Sequence, residues 1–137
     1  MIVKESRIKT HGGAGALSRH VLHGAKNEAI RILAGSDWLM RDAMREARRE
    51  GLTYGLRHIA FNPDETMTDD QLANFARRIC REFHGDPEHM TLVIHQKDGS
   101  THGHLLLPEW QQGHILDNRF SWIRLEKLAR LEEIRLG

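Results

Sequence analysis

The stretch from Met90 to Pro108, MTLVIHQKDGSTHGHLLLP, constrains this chain more tightly than any other. Asp98-Gly99 is a dipeptide that favours a two-residue type I′ turn, whose central residues both take positive φ. Apolar runs on either side, Met90 to Ile94 and Leu105 to Leu107, complete the signature of a β-hairpin. With Asp98 and Gly99 as the loop, Lys97 pairs with Ser100, Gln96 with Thr101, His95 with His102, Ile94 with Gly103 and Val93 with His104. Paired residues share a face. One face of the ribbon then carries Met90, Leu92, Ile94, Leu105 and Leu107. The other carries His95, His102 and His104.

Opposite residues on an antiparallel pair have Cβ atoms about 4.5–5.5 Å apart, and an imidazole nitrogen binds a divalent ion at roughly 2 Å, so three such rings can converge on one ion. Three neutral imidazoles leave room for water or a substrate oxygen, the mark of a catalytic rather than a closed structural centre. The competing expectation is three solvated histidines on the wet side of a hairpin. The pairing decides between one shared face and two, because a loop longer or shorter by one residue would separate His95 from the other two.

At 137 residues the chain is expected to form one domain with a core of its own. A single cysteine, Cys80, excludes a disulfide framework and a cysteine-based metal site. No apolar run approaches a membrane span and no signal-peptide pattern opens the chain, so a soluble, cytoplasmic protein without membrane insertion is expected. Lys plus Arg number 20 against 19 Asp plus Glu, a balance that does not announce a polyanionic partner. Two local clusters could contact phosphates: Arg41, Arg45, Arg48 and Arg49, and then Arg77, Arg78 and Arg81. Such runs are more often solvated helix faces.

In chain order, Met1 to Lys9 reads as a first strand, broken by His11-Gly12-Gly13-Ala14-Gly15. Those glycines would let backbone N–H groups approach a phosphate, or serve only as a flexible loop. Leu17 to His23 reads as a helical turn, and Asn27 to Leu33 fits helix and strand alike. Ser36 caps a helix to Glu50 that buries Leu39, Met40, Ala43, Met44 and Ala47 and stops at Gly51. Leu52 to Phe61 reads as a strand. Its alternation puts Ile59 and Phe61 on one face and Tyr54 and His58 on the histidine side, with Arg57 breaking the apolar pattern. Thr68 and Gln71 form a capping box for a helix to Phe83, with Leu72, Phe75, Ala76, Ile79 and Cys80 on its apolar stripe and Gly85 as its stop. A last helix from about Ser121 to Leu136 carries Trp122, Leu125, Leu128, Ala129 and Leu131. The fold class expected is α+β, an antiparallel central sheet with helices on its apolar face.

The hairpin resembles the HUH motif of HUH endonucleases, in which two histidines flank one residue, here His102-Gly103-His104, with a third just upstream, His95. The order of parts over about residues 1–110 is similar to the N-terminal nuclease domain of conjugative relaxases, in the plasmid-mobilisation branch. The resemblance implies an HUH-endonuclease-like fold and metal-dependent nicking and rejoining of one DNA strand at a transfer origin. It implies a divalent ion (Mn, Mg or Zn) on His95, His102 and His104, and as partners single-stranded DNA and accessory relaxosome proteins. Relaxases attack with a residue of the first helical segment, usually Tyr, which becomes joined to the 5′ phosphate. The corresponding Ser18-Arg19-His20-Val21-Leu22-His23 has no Tyr; His20 falls in its place, and some relaxases use a histidine there. The other candidate is Tyr54, the one Tyr in the chain.

Two further departures from the family pattern stand out. Lys97 occupies a position that is often Asp, and longer relaxases continue past this point, so the chain is read as an excerpt or a shortened member. Glu82, Asp86 and Asp98 are the carboxylates considered for orienting a ligating histidine. Two other functions compete: a non-catalytic, metal-containing single-stranded DNA-binding protein, and an HUH transposase. The transposases place their Tyr on a helix after the hairpin, where residues 105–137 have none.

Overall fold

The computed structural model describes residues 1–11, 21–22 and 29–137. Its elements are β1 (Ile2–Lys9), β2 (Ala29–Ala34), α1 (Asp37–Arg49), β3 (Tyr54–Asn62), α2 (Asp69–Glu82), β4 (Thr91–Lys97), β5 (Ser100–Pro108), β6 (Trp110–Gln111), β7 (His114–Ile115) and α3 (Ser121–Leu136). Five strands form one sheet in the order β1-β3-β5-β4-β2, every neighbour antiparallel. The hairpin stands at its centre. Asp98 (φ 52°) and Gly99 (φ 78°) make the expected turn, and the register from His95↔His102 to Lys97↔Ser100 is the one the turn dictates. The segment Asn27 to Leu33, compatible with helix or strand, supplies β2 and pairs with β4. The glycines at 12, 13 and 15 lie outside the described residues.

The α+β class holds, but the sheet has two apolar faces rather than one. On one side Ile59, Phe61, Leu92, Ile94, Leu105 and Leu107 bury against α2 and α3. The other is closed over part of its extent by Met40, Ala43 and Met44 of α1, which meet Leu56, Val93 and Leu106. The histidines therefore share their face with a second core, and Thr91 to His95 is buried throughout. Central strands covered on both sides lose the clean alternation of a half-wet sheet.

Local chemistry accounts for the helix ends. Ser36 accepts the Leu39 N–H, and Thr68 and Gln71 form the reciprocal capping box. Thr68→Ala is expected to cost about 1 kcal/mol, read from the urea midpoint. At the end of α2 the left-handed residue is His84 (φ 62°), not Gly85. Gly85 is required by space instead, since a Cβ there would stand 2.9 Å from Cys80 Sγ. α3 buries Leu125 and Ala129, whereas Trp122 and Leu131 face out. Glu132 takes the buried position, receiving Arg78 of α2 over 2.7 Å. The sequence reading missed the β6–β7 hairpin, whose Gln112-Gly113 turn (φ 51° and 78°) repeats the geometry of Asp98-Gly99 with a residue less typical of it.

Arg57, which broke the apolar pattern, is buried at 2% exposure. It donates to Glu5 over 2.7 Å and to Asn118 over 2.6 Å, and its guanidinium lies 4.3 Å from the centroid of the Phe83 ring. A buried cation with a carboxylate, an amide and an aromatic face around it meets the condition for leaving water.

Cys80 is a core residue, as expected. Burial, assisted by the charge of Asp86, pushes its thiol up to about 12. Below that the sulfur stays a neutral thiol, and the thiolate is the nucleophile. Native protein at pH 8 is expected to resist a disulfide reagent, with labelling in urea following unfolding. Stoichiometric labelling without denaturant would show that the site opens. Among the described residues, no helix is long and apolar enough to cross a membrane.

Candidate metal and nucleophile site

Three central strands bring four histidines to one face. His102 and His104 come from β5, His95 from β4 opposite His102, and His58 from β3, one rung away from Ala60, which pairs with His104. The His95 and His104 rings have centroids 4.5 Å apart, tilted at 53°. His58 Nε2 and His104 Nδ1 lie 2.9 Å apart, a hydrogen bond in which one ring donates and the other accepts. His95 is buried and its Nε2–H donates to the carbonyl of Val21. His102 is exposed, its Nε2 3.2 Å from Ser100 Oγ.

The shared face expected for His95, His102 and His104 is thus present, and the rings of His95 and His104 are in contact on it. Among the described residues, no three His, Cys, Asp or Glu side chains are grouped to hold one metal ion. In these rotamers His95 reaches the Val21 carbonyl and His102 reaches back to its own strand. By chemistry the donor set fits a divalent ion. A neutral imidazole that donates one N–H to a carbonyl or a neighbouring ring keeps its lone pair on the other nitrogen.

Between the two paired histidines stands Gly103, and the structure shows why. The Phe61 ring crosses directly beneath it: a Cβ at Gly103 would meet Phe61 Cζ at 2.3 Å and both Cε atoms at 2.6 Å. Phe61 is itself fixed edge-on to Phe75, with centroids 5.1 Å apart at 87°. The bulk beneath the histidine pair therefore comes from β3.

Val21 is helical and fully buried in the cluster of Met40, Met44, Leu56 and Val93. Its bond to His95 fastens the neighbourhood of residues 21–22 to the histidine face. His20 lies outside the described residues.

The family described as “Relaxase: MobA/VirD2-like, nuclease domain” matches residues 22–137. The chain belongs to this relaxase family. It is accordingly a nuclease domain of relaxase type. The structure is also similar to a solved structure described as “Molecular Basis of Vancomycin Resistance Transfer in Staphylococcus aureus”, with a TM-score of 0.56 and 12% sequence identity, over 96% of this chain and 88% of that one. At that identity the likeness concerns the fold. No curated protein sequence matches the chain.

In this relaxase domain Tyr54 does not join the histidines, contrary to the strand alternation read from sequence. A register shift between Ile8 and Lys9 marks a bulge opposite Tyr54 and Gly55. Gly55 and Leu56 then both face α1: a Cβ on Gly55 would stand 2.5 Å from Met44 Sδ, and Leu56 packs in the same cluster. Tyr54 turns the other way. The Arg7 guanidinium lies 4.1 Å from its ring centroid, and Arg7 donates from Nε to Glu109 over 2.8 Å.

The carboxylates considered for orienting a histidine are used elsewhere. Glu82 receives Arg124 over 2.9 Å, Asp86 caps the short turn Pro87–His89, and Asp98 sits at the hairpin tip. His58 is instead the side chain that touches a histidine of the pair. Among the described residues, four of the seven clustered arginines are ion-paired: Arg41 with Asp37, Arg45 with Asp42, Arg49 with Glu46 and Arg78 with Glu132.

Proposed function

We propose that this relaxase domain nicks and rejoins one strand of DNA at a transfer origin, in plasmid mobilisation, with His20 as nucleophile and His95, His102 and His104 holding one divalent ion. The observation that carries this reading is the bond from His95 to the Val21 carbonyl, next in sequence to His20, which ties the segment bearing the nucleophile to the histidine face. Tyr54, stacked under Arg7, is not in that neighbourhood.

A divalent ion there, Mn, Mg or Zn, would supply positive charge against the non-bridging oxygens of the scissile phosphate. The chain's own residues do the rest. His95, donating Nε2–H to Val21 O, would ligate through Nδ1, and His104, in the tautomer that donates Nδ1–H to His58, would ligate through Nε2. An imidazole must be neutral to attack phosphorus, and an unperturbed ring titrates near about 6.5, so His20 can attack at neutral pH without a dedicated base. A nitrogen–phosphorus bond forms, the phosphorus–O3′ bond breaks, and the departing 3′ oxygen takes the proton released from the other ring nitrogen of His20. The 5′ phosphate stays on the protein until the 3′ hydroxyl returns. A tyrosine, titrating near about 10, would need stronger activation. The partners under this reading are the single strand at the origin and accessory relaxosome proteins, in the cytoplasm.

The test is a covalent adduct on a labelled strand carrying the origin. Wild type with metal is expected to form one that is labile in acid and stable in alkali, as a phosphoramidate is. His20→Ala should remove the adduct while leaving metal and DNA binding intact, and Tyr54→Phe should retain it. An adduct that survives His20→Ala and disappears in Tyr54→Phe reverses the assignment. Binding of the strand with no adduct from any form would make the domain a non-catalytic single-strand binder.

A further inference from the structure

The histidine face continues beyond the histidines. Across β1, β3 and β5 one row of the sheet reads Lys4, Ala60, His104, each paired with the next. Neighbouring strands lie about 4.8 Å apart, so the Lys4 and His104 backbones are separated by about 10 Å with only the methyl of Ala60 between them. The low point in that row opens into a cleft of about 160 Å³ lined by Ile2, Lys4, Ala60, Phe61, Asn62 and His102. A long basic side chain, an amide and an imidazole thus surround a gap next to the histidine pair.

Charge on these strands is sorted by face. Glu5 is the single carboxylate within the five strands of the sheet, and it lies on the opposite face, holding Arg57. Arg7, also on that side, is held by Glu109. Lys4 is exposed and makes no ion pair among the described residues. A cation without a carboxylate on the same strand surface, beside a gap lined by hydrogen-bonding groups, suits an anion.

We propose that Lys4, with Asn62, forms a phosphate subsite over Ala60, beside His102, that binds one phosphodiester of the single strand next to the histidine pair. The subsite rests on the relaxase reading above and names a further residue of the same site. Lys4 Nζ would pair with a non-bridging oxygen. The small side chain at Ala60 lets the backbone of the strand sink to the sheet. The contact is to phosphate, so it fixes the strand's position without reading its bases.

The test is equilibrium binding of an oligothymidylate of about 20 nucleotides as salt is varied, because each phosphate contact on a single strand adds about 0.7 to the slope of log affinity against log salt. Lys4→Gln is expected to lower that slope by about 0.7 and to weaken binding about fivefold to tenfold at low salt. Lys4→Arg should restore both, and Ala60→Leu should weaken binding by filling the cleft with no change of charge. Lys127→Gln, on the exposed side of α3, should bind as the parent does. An unchanged urea midpoint in Lys4→Gln separates the effect from folding. Parental slope and affinity in Lys4→Gln would overturn the subsite and leave the relaxase reading standing. A parent that shows no salt-sensitive binding of the strand would overturn the DNA reading and the subsite with it.

Discussion

Gly103→Ala is expected to destabilise the domain by about 1–3 kcal/mol, although it adds one methyl group to a strand that any residue could otherwise occupy. The reason is the ring of Phe61. A Cβ at position 103 would lie 2.3 Å from Phe61 Cζ, and the ring cannot slide away because it is 1% exposed and held against Phe75. Either β5 lifts from β3 or Phe61 leaves its rotamer, and interiors packed to crystal density resist both. The measurement is the shift of the urea midpoint at constant slope. Because the clash is between two named side chains, Phe61→Leu should rescue part of the loss, giving a non-additive double variant. Gly103→Ala as stable as the parent would show that the ring has room to move. The same substitution should displace His102 and His104 from the sheet and weaken whatever they hold.

The hairpin could be read from sequence because a type I′ turn admits few residues and fixes the register of everything beside it. Asp98-Gly99 sets His95 opposite His102 as expected. The same kind of reasoning failed at Tyr54, where one extra residue in β3 reversed the alternation. A bulge has no signature in Leu52-Thr53-Tyr54-Gly55 beyond the glycine. The second apolar face escaped notice because Val93 and Leu106 share a side with the histidines, so alternation appeared to separate core from water when both sides are core. Arg57 looked like a fault in the pattern until Glu5, Asn118 and Phe83, distant in sequence, were placed around it. Lys4 gave no sign at all, since its meaning lies in Ala60 and His104 beyond it in the row.

The largest expected effect is on metal binding, and it separates His104 from His58. His104→Ala should abolish high-affinity binding of a divalent ion, as should His95→Ala and His102→Ala, because under the proposed assignment each removes one of three donors. His58 is placed differently. Its Nε2 lies 2.9 Å from His104 Nδ1, so it holds the direction in which the His104 ring points. Groups that orient a ligating histidine in this way typically contribute 10–100-fold to affinity, about 1.4–2.7 kcal/mol. His58→Ala is therefore expected to weaken Mn binding by about that factor while keeping one ion per chain, measured by calorimetry. His58→Gln should recover part of the loss, because an amide can replace the hydrogen bond to His104. If His58→Ala abolishes binding as completely as His104→Ala, then His58 is itself a ligand and the triad must be redrawn around His58, His95 and His104, the three histidines already linked by ring contacts. If the triple variant of His95, His102 and His104 still binds one ion, the metal is held elsewhere and the assignment to this face fails.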